Sequence, residues 1–239
     1  MAKTPYILST KSLFPEQKQI LLDANMAVDD FDFIATNAKK FELDQVYDNL
    51  IFTSKNTVQA VLQHPNFDQL KSKKVFAVGM KTKSLLTENG FNVVAYTGYA
   101  ADLAEIISLV YSKESYTFFC GNLRRDELPN TLKENGILFN EIETYETALT
   151  PQKIKQQPDG ILFFSPSAVE SYLKLNSIND ELCFCIGETT AEALVPKLRE
   201  NKIKNRIIAE KPAIEQLIQE VIAYYNRPLV PKGNKEGSK

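Results

Sequence analysis

Short apolar runs recur along the chain, each followed by a polar turn and then a stretch of helical period. Tyr6–Ser9, Phe31–Ala35, Leu50–Thr53, Val75–Val78, Asn92–Tyr96 and Thr117–Cys120 read as strands. So do Ile161–Phe164, Cys183–Ile186 and Arg206–Ala209. Their near-continuous apolar character fits strands covered on both faces, as in a parallel sheet. Between them lie amphipathic helices: 15–26 with Ile20, Leu21 and Ala24 inward, then one carrying Val58, Val61 and Leu62. Leu103, Ile106, Ile107 and Val110 form a further stripe. Another helix stops at Asn135-Gly136. Val169, Tyr172 and Leu173, then Ala191, Leu194, Val195 and Leu198, then Ile214, Leu217, Ile218, Val221, Ile222 and Tyr225 mark the last three. A longer segment, Ile137–Thr147, is extended but too polar to be buried on both sides. Strands alternating with helices imply an α/β protein with doubly wound parallel sheets.

The pattern repeats. Phe52-Thr53-Ser54-Lys55-Asn56 matches Phe163-Phe164-Ser165-Pro166-Ser167. Val78-Gly79 through Thr82 and Leu86 matches Ile186-Gly187 through Thr190 and Leu194, and Val94-Ala95 with Leu103 matches Ile208-Ala209 with Leu217. Offsets of 111, 108 and 114 residues, in the same order, indicate an internal duplication. Ile7-Leu8-Ser9 pairs less well with Phe118-Phe119-Cys120.

In open parallel sheets ligands sit beyond the carboxyl ends of the strands. Those ends carry hydroxyls, glycines and single cations: Thr10 and Lys11, Ser54 and Asn56, Gly79 and Thr82, Ser165 and Ser167, Thr189 and Thr190, and Lys211. Each alone is an ordinary cap or turn. Together they describe a site rich in backbone N–H groups, suited to a polyanion. Gly187 is expected to let the backbone turn tightly before its helix.

Composition narrows the chemistry. At 239 residues the chain can hold two domains, and its 44% apolar and 24% charged residues are those of a globular protein. A net charge of −2 argues against nucleic-acid binding. No apolar run is long enough for a transmembrane helix, and Met1–Pro5 lead into a strand without a signal-peptide core, so no membrane association and a cytoplasmic location are expected. Cys120, Cys183 and Cys185 sit in strand-like runs and read as buried thiols. The single histidine, His64, leaves no metal site of usual spacing. Dinucleotide and P-loop glycine patterns are missing, as are a nucleophile elbow and a Cys/His pair.

Seven short motifs between Thr53 and Pro212 carry a family resemblance that runs over about residues 5–225. Phe119-Cys120-Gly121-Asn122-Leu123-Arg124-Arg125-Asp126-Glu127-Leu128-Pro129 resembles the GN-L-(K/R)-R-x-x-L-P segment of uroporphyrinogen-III synthases. Thr53-Ser54-x-Asn56, Val78-Gly79-x-x-Thr82, Thr144-Tyr145-Glu146-Thr147, Phe163–Ser167, Ile186–Ala191 and Ala209–Pro212 are similar to further segments of the same family. Thr144 stands where the family often has valine.

The resemblance implies two similar flavodoxin-like domains joined by two extended strands. One domain would be discontinuous, 1–34 with 149–226. The other would span 41–142, with linker strands at 35–40 and 143–148 and a disordered tail at 227–239. It also implies a cofactor-free, metal-free lyase, acting as a monomer, that closes a linear tetrapyrrole octacarboxylate, hydroxymethylbilane, into uroporphyrinogen III. A transient hand-over from hydroxymethylbilane synthase belongs to the same expectation. Tyr145 would help the substrate hydroxyl leave, and Gly121, Asn122, Leu123 and Arg124 would join the strand-end residues in binding substrate. Two rivals remain open on residues alone. A two-lobed small-anion-binding protein without catalysis would not change an isomer ratio, and a two-domain glycosyltransferase would show a nucleotide-sugar site.

Overall fold

The computed structural model describes residues 3–195 and 205–227. In chain order its elements are β1 (Tyr6–Ser9), α1 (Pro15–Asp23), β2 (Ala27–Asp30), β3 (Ile34–Ala38), β4 (Asn49–Phe52), α2 (Lys55–Leu62), β5 (Lys74–Val78) and α3 (Met80–Glu88). There follow β6 (Asn92–Thr97), α4 (Ala100–Val110), β7 (Tyr116–Gly121), α5 (Glu127–Glu134), β8 (Phe139–Leu149) and β9 (Gly160–Phe163). The chain ends with α6 (Pro166–Leu175), β10 (Leu182–Cys185), α7 (Glu188–Leu194), β11 (Arg206–Ile208) and α8 (Ile214–Tyr225). The tail expected at 227–239 lies outside the described residues from residue 228 on, as does Leu198, expected to face the core.

The described residues form two compact units. One runs up to Ala35 and resumes at Leu149; the other is Thr36–Ala148. The first holds a five-stranded sheet in the order β11-β10-β9-β1-β2, with every neighbouring pair parallel. Alternation along its strands separates two cores. Leu8, Ile161, Phe163, Cys183 and Cys185 face α6 and α7, burying Val169, Tyr172, Ala191 and Leu194. Ile7, Leu162 and Phe184 face α1 and α8, burying Leu21, Leu217, Ile218 and Val221. Each such buried side chain contributes about 1.5–3 kcal/mol.

The second unit holds a six-stranded sheet, β3-β8-β7-β4-β5-β6. Its β8-β7-β4-β5-β6 stretch is parallel throughout. Ile51, Phe76, Phe118 and Cys120 pack under α4 and α5. Leu50, Phe52, Val75, Ala77 and Phe119 pack under α2 and α3 on the other face. Helices on both faces explain why these strands read as continuous apolar runs.

Several local expectations need correction. The strand expected at 31–35 is divided: β2 ends at Asp30 and β3 begins only at Ile34, with Phe33 wholly buried between them. Ile20, Val110 and Val195 point outward instead of to the core. In α1 the inner position goes to Gln17, whose Nε2 donates to Glu215 on α8 at 2.8 Å while its Oε1 accepts from the Phe14 N–H at 3.1 Å. A buried glutamine with both ends bonded gives no apolar signal in the sequence. Gly187 has φ −175°, extended backbone that any residue adopts, so no tight turn depends on it. Gly79, its counterpart, does need glycine: it caps α3 at φ +85°. Among the described residues no helix is long and apolar enough to cross a membrane.

Candidate active site

Parallel pairing aligns the carboxyl ends of each sheet along one edge, and the residues singled out in the sequence fall there. In the Thr36–Ala148 unit they follow β4 (Ser54, Asn56), β5 (Gly79, Thr82) and β7 (Gly121, Asn122, Leu123, Arg124), with Tyr145 on β8. In the other unit they follow β1 (Thr10, Lys11), β9 (Ser165, Ser167), β10 (Thr189, Thr190) and β11 (Lys211).

Tyr145 is half-buried. The β7–β8 register slips between Cys120 and Gly121, so Thr144 is the extra residue of a bulge and Tyr145 stands opposite Gly121. Thr144 is wholly buried, and its hydroxyl donates to the Cys120 carbonyl at 3.4 Å. That bond gives the threonine a partner that a valine would lack. The Tyr145 hydroxyl donates to Ser54 Oγ at 3.5 Å, long for an O–H···O bond, which leaves it available to another acceptor. Ser54 Oγ also accepts from the Asn56 N–H at 3.1 Å, capping α2.

The phenol borders a pocket of about 200 Å³ lined by Thr36, Ala38, Asn56, Gln59, Ala60, Gln63 and Tyr145. Thr36, Gln59 and Gln63 escaped the sequence reading. Gln59 on α2 and Gln63 at its C-cap stand four apart and exposed, a pattern indistinguishable from a solvated helix surface.

Other candidates are already engaged. Arg124 pairs with Asp126 and, through Nη2, with Glu141 at 2.9 Å. Burial works against its charge, but these two carboxylates hold its guanidinium above the ordinary range. The carboxamide of Asn122 bonds both backbone groups of Thr147. Thr10, Thr82 and Thr190 are 1%, 4% and 2% exposed. Thr10 Oγ1 donates to the Leu162 carbonyl at 2.7 Å, extending β1 onto β9. The Thr190 N–H donates to the Gly187 carbonyl at 3.1 Å. All three threonines are thus almost wholly buried. Ser165 caps α6 by accepting from the Ala168 N–H at 3.1 Å and lies 3.0 Å from the Ser167 hydroxyl.

Leu123, Lys11, Lys55, Lys81 and Lys211 are exposed, and among the described residues none of these lysines is in an ion pair. Beside Tyr145, β8 carries Glu141, Glu143 and Glu146; Lys39 answers Glu143 at 2.7 Å. Cys120, Cys183 and Cys185 are buried and unpaired, and burial pushes the Cys120 thiol up to about 11. None is an accessible nucleophile. No cluster of potential metal ligands occurs among the described residues.

The sequence model of the family described as Uroporphyrinogen-III synthase HemD matches residues 26–219. Among solved structures, a uroporphyrinogen-III synthetase from Helicobacter pylori superposes with a TM-score of 0.68 at 21% identity, over 93% of this chain and 100% of that one. A mutant uroporphyrinogen III synthase from the extremely thermophilic bacterium Thermus thermophilus gives 0.67 at 15% identity, over 94% and 100%. The wild-type protein from that organism gives 0.51 at 16%, over 93% and 98%. At these identities the structural likeness speaks for the fold.

Proposed function

The chain belongs to the uroporphyrinogen-III synthase family and is a cyclising lyase of haem biosynthesis, and we propose that Tyr145 is its proton donor. The family reaction closes linear hydroxymethylbilane to uroporphyrinogen III, inverting the last pyrrole ring and losing water. The observation that carries the proposal is the Tyr145 hydroxyl itself, weakly bonded to Ser54 and bordering the pocket of Thr36, Asn56 and Gln59.

In this reading the phenol transfers its proton to the substrate hydroxyl as the C–O bond breaks, so that the oxygen departs as water, and the phenolate takes back the proton that the last ring loses on reclosure. The pyrrole nitrogen lone pair expels it and leaves an azafulvene cation. The substituted carbon of the last ring attacks that carbon, giving a spiro intermediate that reopens and recloses. Uncatalysed closure yields the uninverted isomer I, so the protein's main task is to favour one geometry.

The eight substrate carboxylates call for donors along the strand ends. In one unit we assign Lys55, Asn56, Lys81 and the α3 N-terminus behind Gly79, and in the other Lys11, Ser165, Ser167, Thr189 and Lys211. Each exposed lysine is worth little alone.

The fold reading goes with it. The first unit's sheet shows the order 2-1-3-4-5 in chain order; the β8-β7-β4-β5-β6 stretch of the second shows the same order as a circular permutation, counted from β7 and wrapping round to β4, with β3 added at the edge. That order supports two flavodoxin-like copies from an internal duplication, at 1–34 with 149–226 and at 41–142, joined through 35–40 and 143–148. A monomer in the cytoplasm, receiving substrate transiently from hydroxymethylbilane synthase, completes the reading and rests on the family resemblance. The rival small-anion binder finds no support in the family match.

The test is to incubate the protein with freshly made hydroxymethylbilane, oxidise the product and separate the isomers. Uroporphyrin III is expected. Uroporphyrin I alone would overturn the reading.

A further inference from the structure

Gly121 is buried, and the ring of Tyr145 lies where its side chain would be. A Cβ there would meet Cε2 and Cε1 of that ring at 2.7 and 2.8 Å, and Cζ closer still. Real Cβ atoms essentially never approach a neighbour closer than 3.0 Å. Gly121 has φ outside the left-handed region, so the need for glycine comes from the ring and not from the backbone.

Asn122, next along, grips the same strand. Its N–H donates to the Tyr145 carbonyl at 3.3 Å. Its Oδ1 accepts from the Thr147 N–H at 2.8 Å, and its Nδ2 donates to the Thr147 carbonyl at 3.3 Å. One residue thus bonds the backbone on both sides of the Tyr145–Thr147 segment, just past the bulge at Thr144.

We propose that Gly121 and Asn122 are positioning residues for Tyr145 and not substrate ligands. The bare backbone of Gly121 seats the phenol ring, and the Asn122 carboxamide holds residues 145–147 as a continuation of the β7–β8 pairing. Together they set the hydroxyl beside Ser54 and the Asn56–Gln59 pocket. Adding a methyl at Gly121 tips the ring; removing the carboxamide at Asn122 loosens the strand that carries it. The inference rests on Tyr145 as proton donor.

The test compares Gly121→Ala, Asn122→Ala and Tyr145→Phe with the two doubles that contain Tyr145→Phe, by kcat, KM and product isomer. Tyr145→Phe is expected to lower kcat about 100-fold. Gly121→Ala and Asn122→Ala should each lower kcat at least about tenfold, with KM within about twofold. Groups acting through one residue are not additive, so each double should be no more than about twofold slower than Tyr145→Phe alone. Factors that multiply, or a rise in KM in place of the fall in kcat, would overturn the proposal. Wild-type turnover in Tyr145→Phe alone would instead remove the premise, and that single variant reveals it. The seat is tested separately by melting: Gly121→Ala should lower Tm, but should cost nothing further when added to Tyr145→Ala, which lacks the colliding ring. An equal loss in both backgrounds would overturn the seat. If Gly121→Ala gives no soluble protein, Asn122→Ala, which adds no atoms, decides the matter through kcat and its double.

Discussion

Arg124 donates from Nη2 to a carboxylate oxygen of Glu141 at 2.9 Å, tying the loop after β7 to the polar strand β8. Asp126 takes another of its nitrogens. With two carboxylates against one guanidinium, this arginine adds no spare positive charge to the site. Arg124→Gln should therefore act mainly on stability, by about 1–2 kcal/mol for a largely covered, charge-assisted bond. Chemical denaturation would show the loss while KM for hydroxymethylbilane stays near wild type. A large rise in KM with unchanged stability would return Arg124 to the substrate.

Gly79 and Gly187 hold matching places in the two halves of the sequence but differ in backbone. Gly79 has φ +85° and ψ 137°, a region essentially reserved for glycine; Gly187 has φ −175° and ψ 173°. A Cβ would fit sterically at both, since the nearest atom to Gly79 is Thr82 Oγ1 at 3.9 Å and nothing lies within 4 Å of Gly187. The difference is therefore purely conformational. Gly79→Ala should cost about 1–3 kcal/mol, whereas Gly187→Ala should be neutral or stabilising by about 0.4–1 kcal/mol. Urea unfolding of the two variants gives the contrast directly, and equal losses would contradict it.

This pair also shows how far the sequence could be read. The apolar runs located the buried strands because a parallel sheet covered on both faces leaves no alternation to misread, and Leu50-Ile51-Phe52 and Cys183-Phe184-Cys185 are wholly buried. The repeat placed Gly79 opposite Gly187, but identical letters carried no dihedral angles. Gln17 took an inner position that the pattern assigned to Ile20, because hydrogen bonding at both ends substitutes for apolarity. At the site, Tyr145 was legible through its motif. Its setting was not: the bulge at Thr144 and the ring over Gly121 depend on register, which a one-residue slip changes without altering composition. Thr82 and Thr190 sit at the expected junctions, yet their low exposure is a matter of packing that the motif does not carry.

Acid should loosen the unit that contains β1. Burial alone would raise the Asp159 carboxyl, but bonds from Lys3 Nζ at 2.6 Å and the Tyr6 N–H at 2.9 Å outweigh it and hold the group below the ordinary range. Asp30 behaves alike: burial is offset by Lys18 at 2.6 Å and the Leu13 N–H at 2.9 Å. A carboxyl depressed in the folded state stabilises fully above its unfolded value of about 3.9, and that stabilisation is lost as pH falls through the folded value. Stability measured by denaturation should thus hold from neutrality to about pH 4 and then decline. Asp159→Asn and Asp30→Asn should each be less stable at pH 7 and show a shallower acid decline. A decline as steep as wild type in both would mean that other carboxyls control it.

Thr190 opens α7 at the place where the sequence promised a hydroxyl beside free N–H groups. In the structure its N–H is bonded to Gly187 and its side chain is buried, whereas Thr189 beside it is half-buried. If substrate carboxylates meet this junction, Thr189 is the residue that reaches them. Thr190→Val keeps the shape and removes only the hydroxyl, so kcat and KM should both remain within about twofold of wild type, well below the tenfold that 1.4 kcal/mol represents. Thr189→Val removes a hydroxyl from the accessible side of the same turn and should raise KM, with little change in kcat if the contact is made equally to bound substrate and transition state. Thr82→Val, the buried counterpart on α3, should follow Thr190→Val. Steady-state kinetics on the three variants settles the assignment: a KM effect at Thr190 that is missing at Thr189 would place the ligand on Thr190 instead.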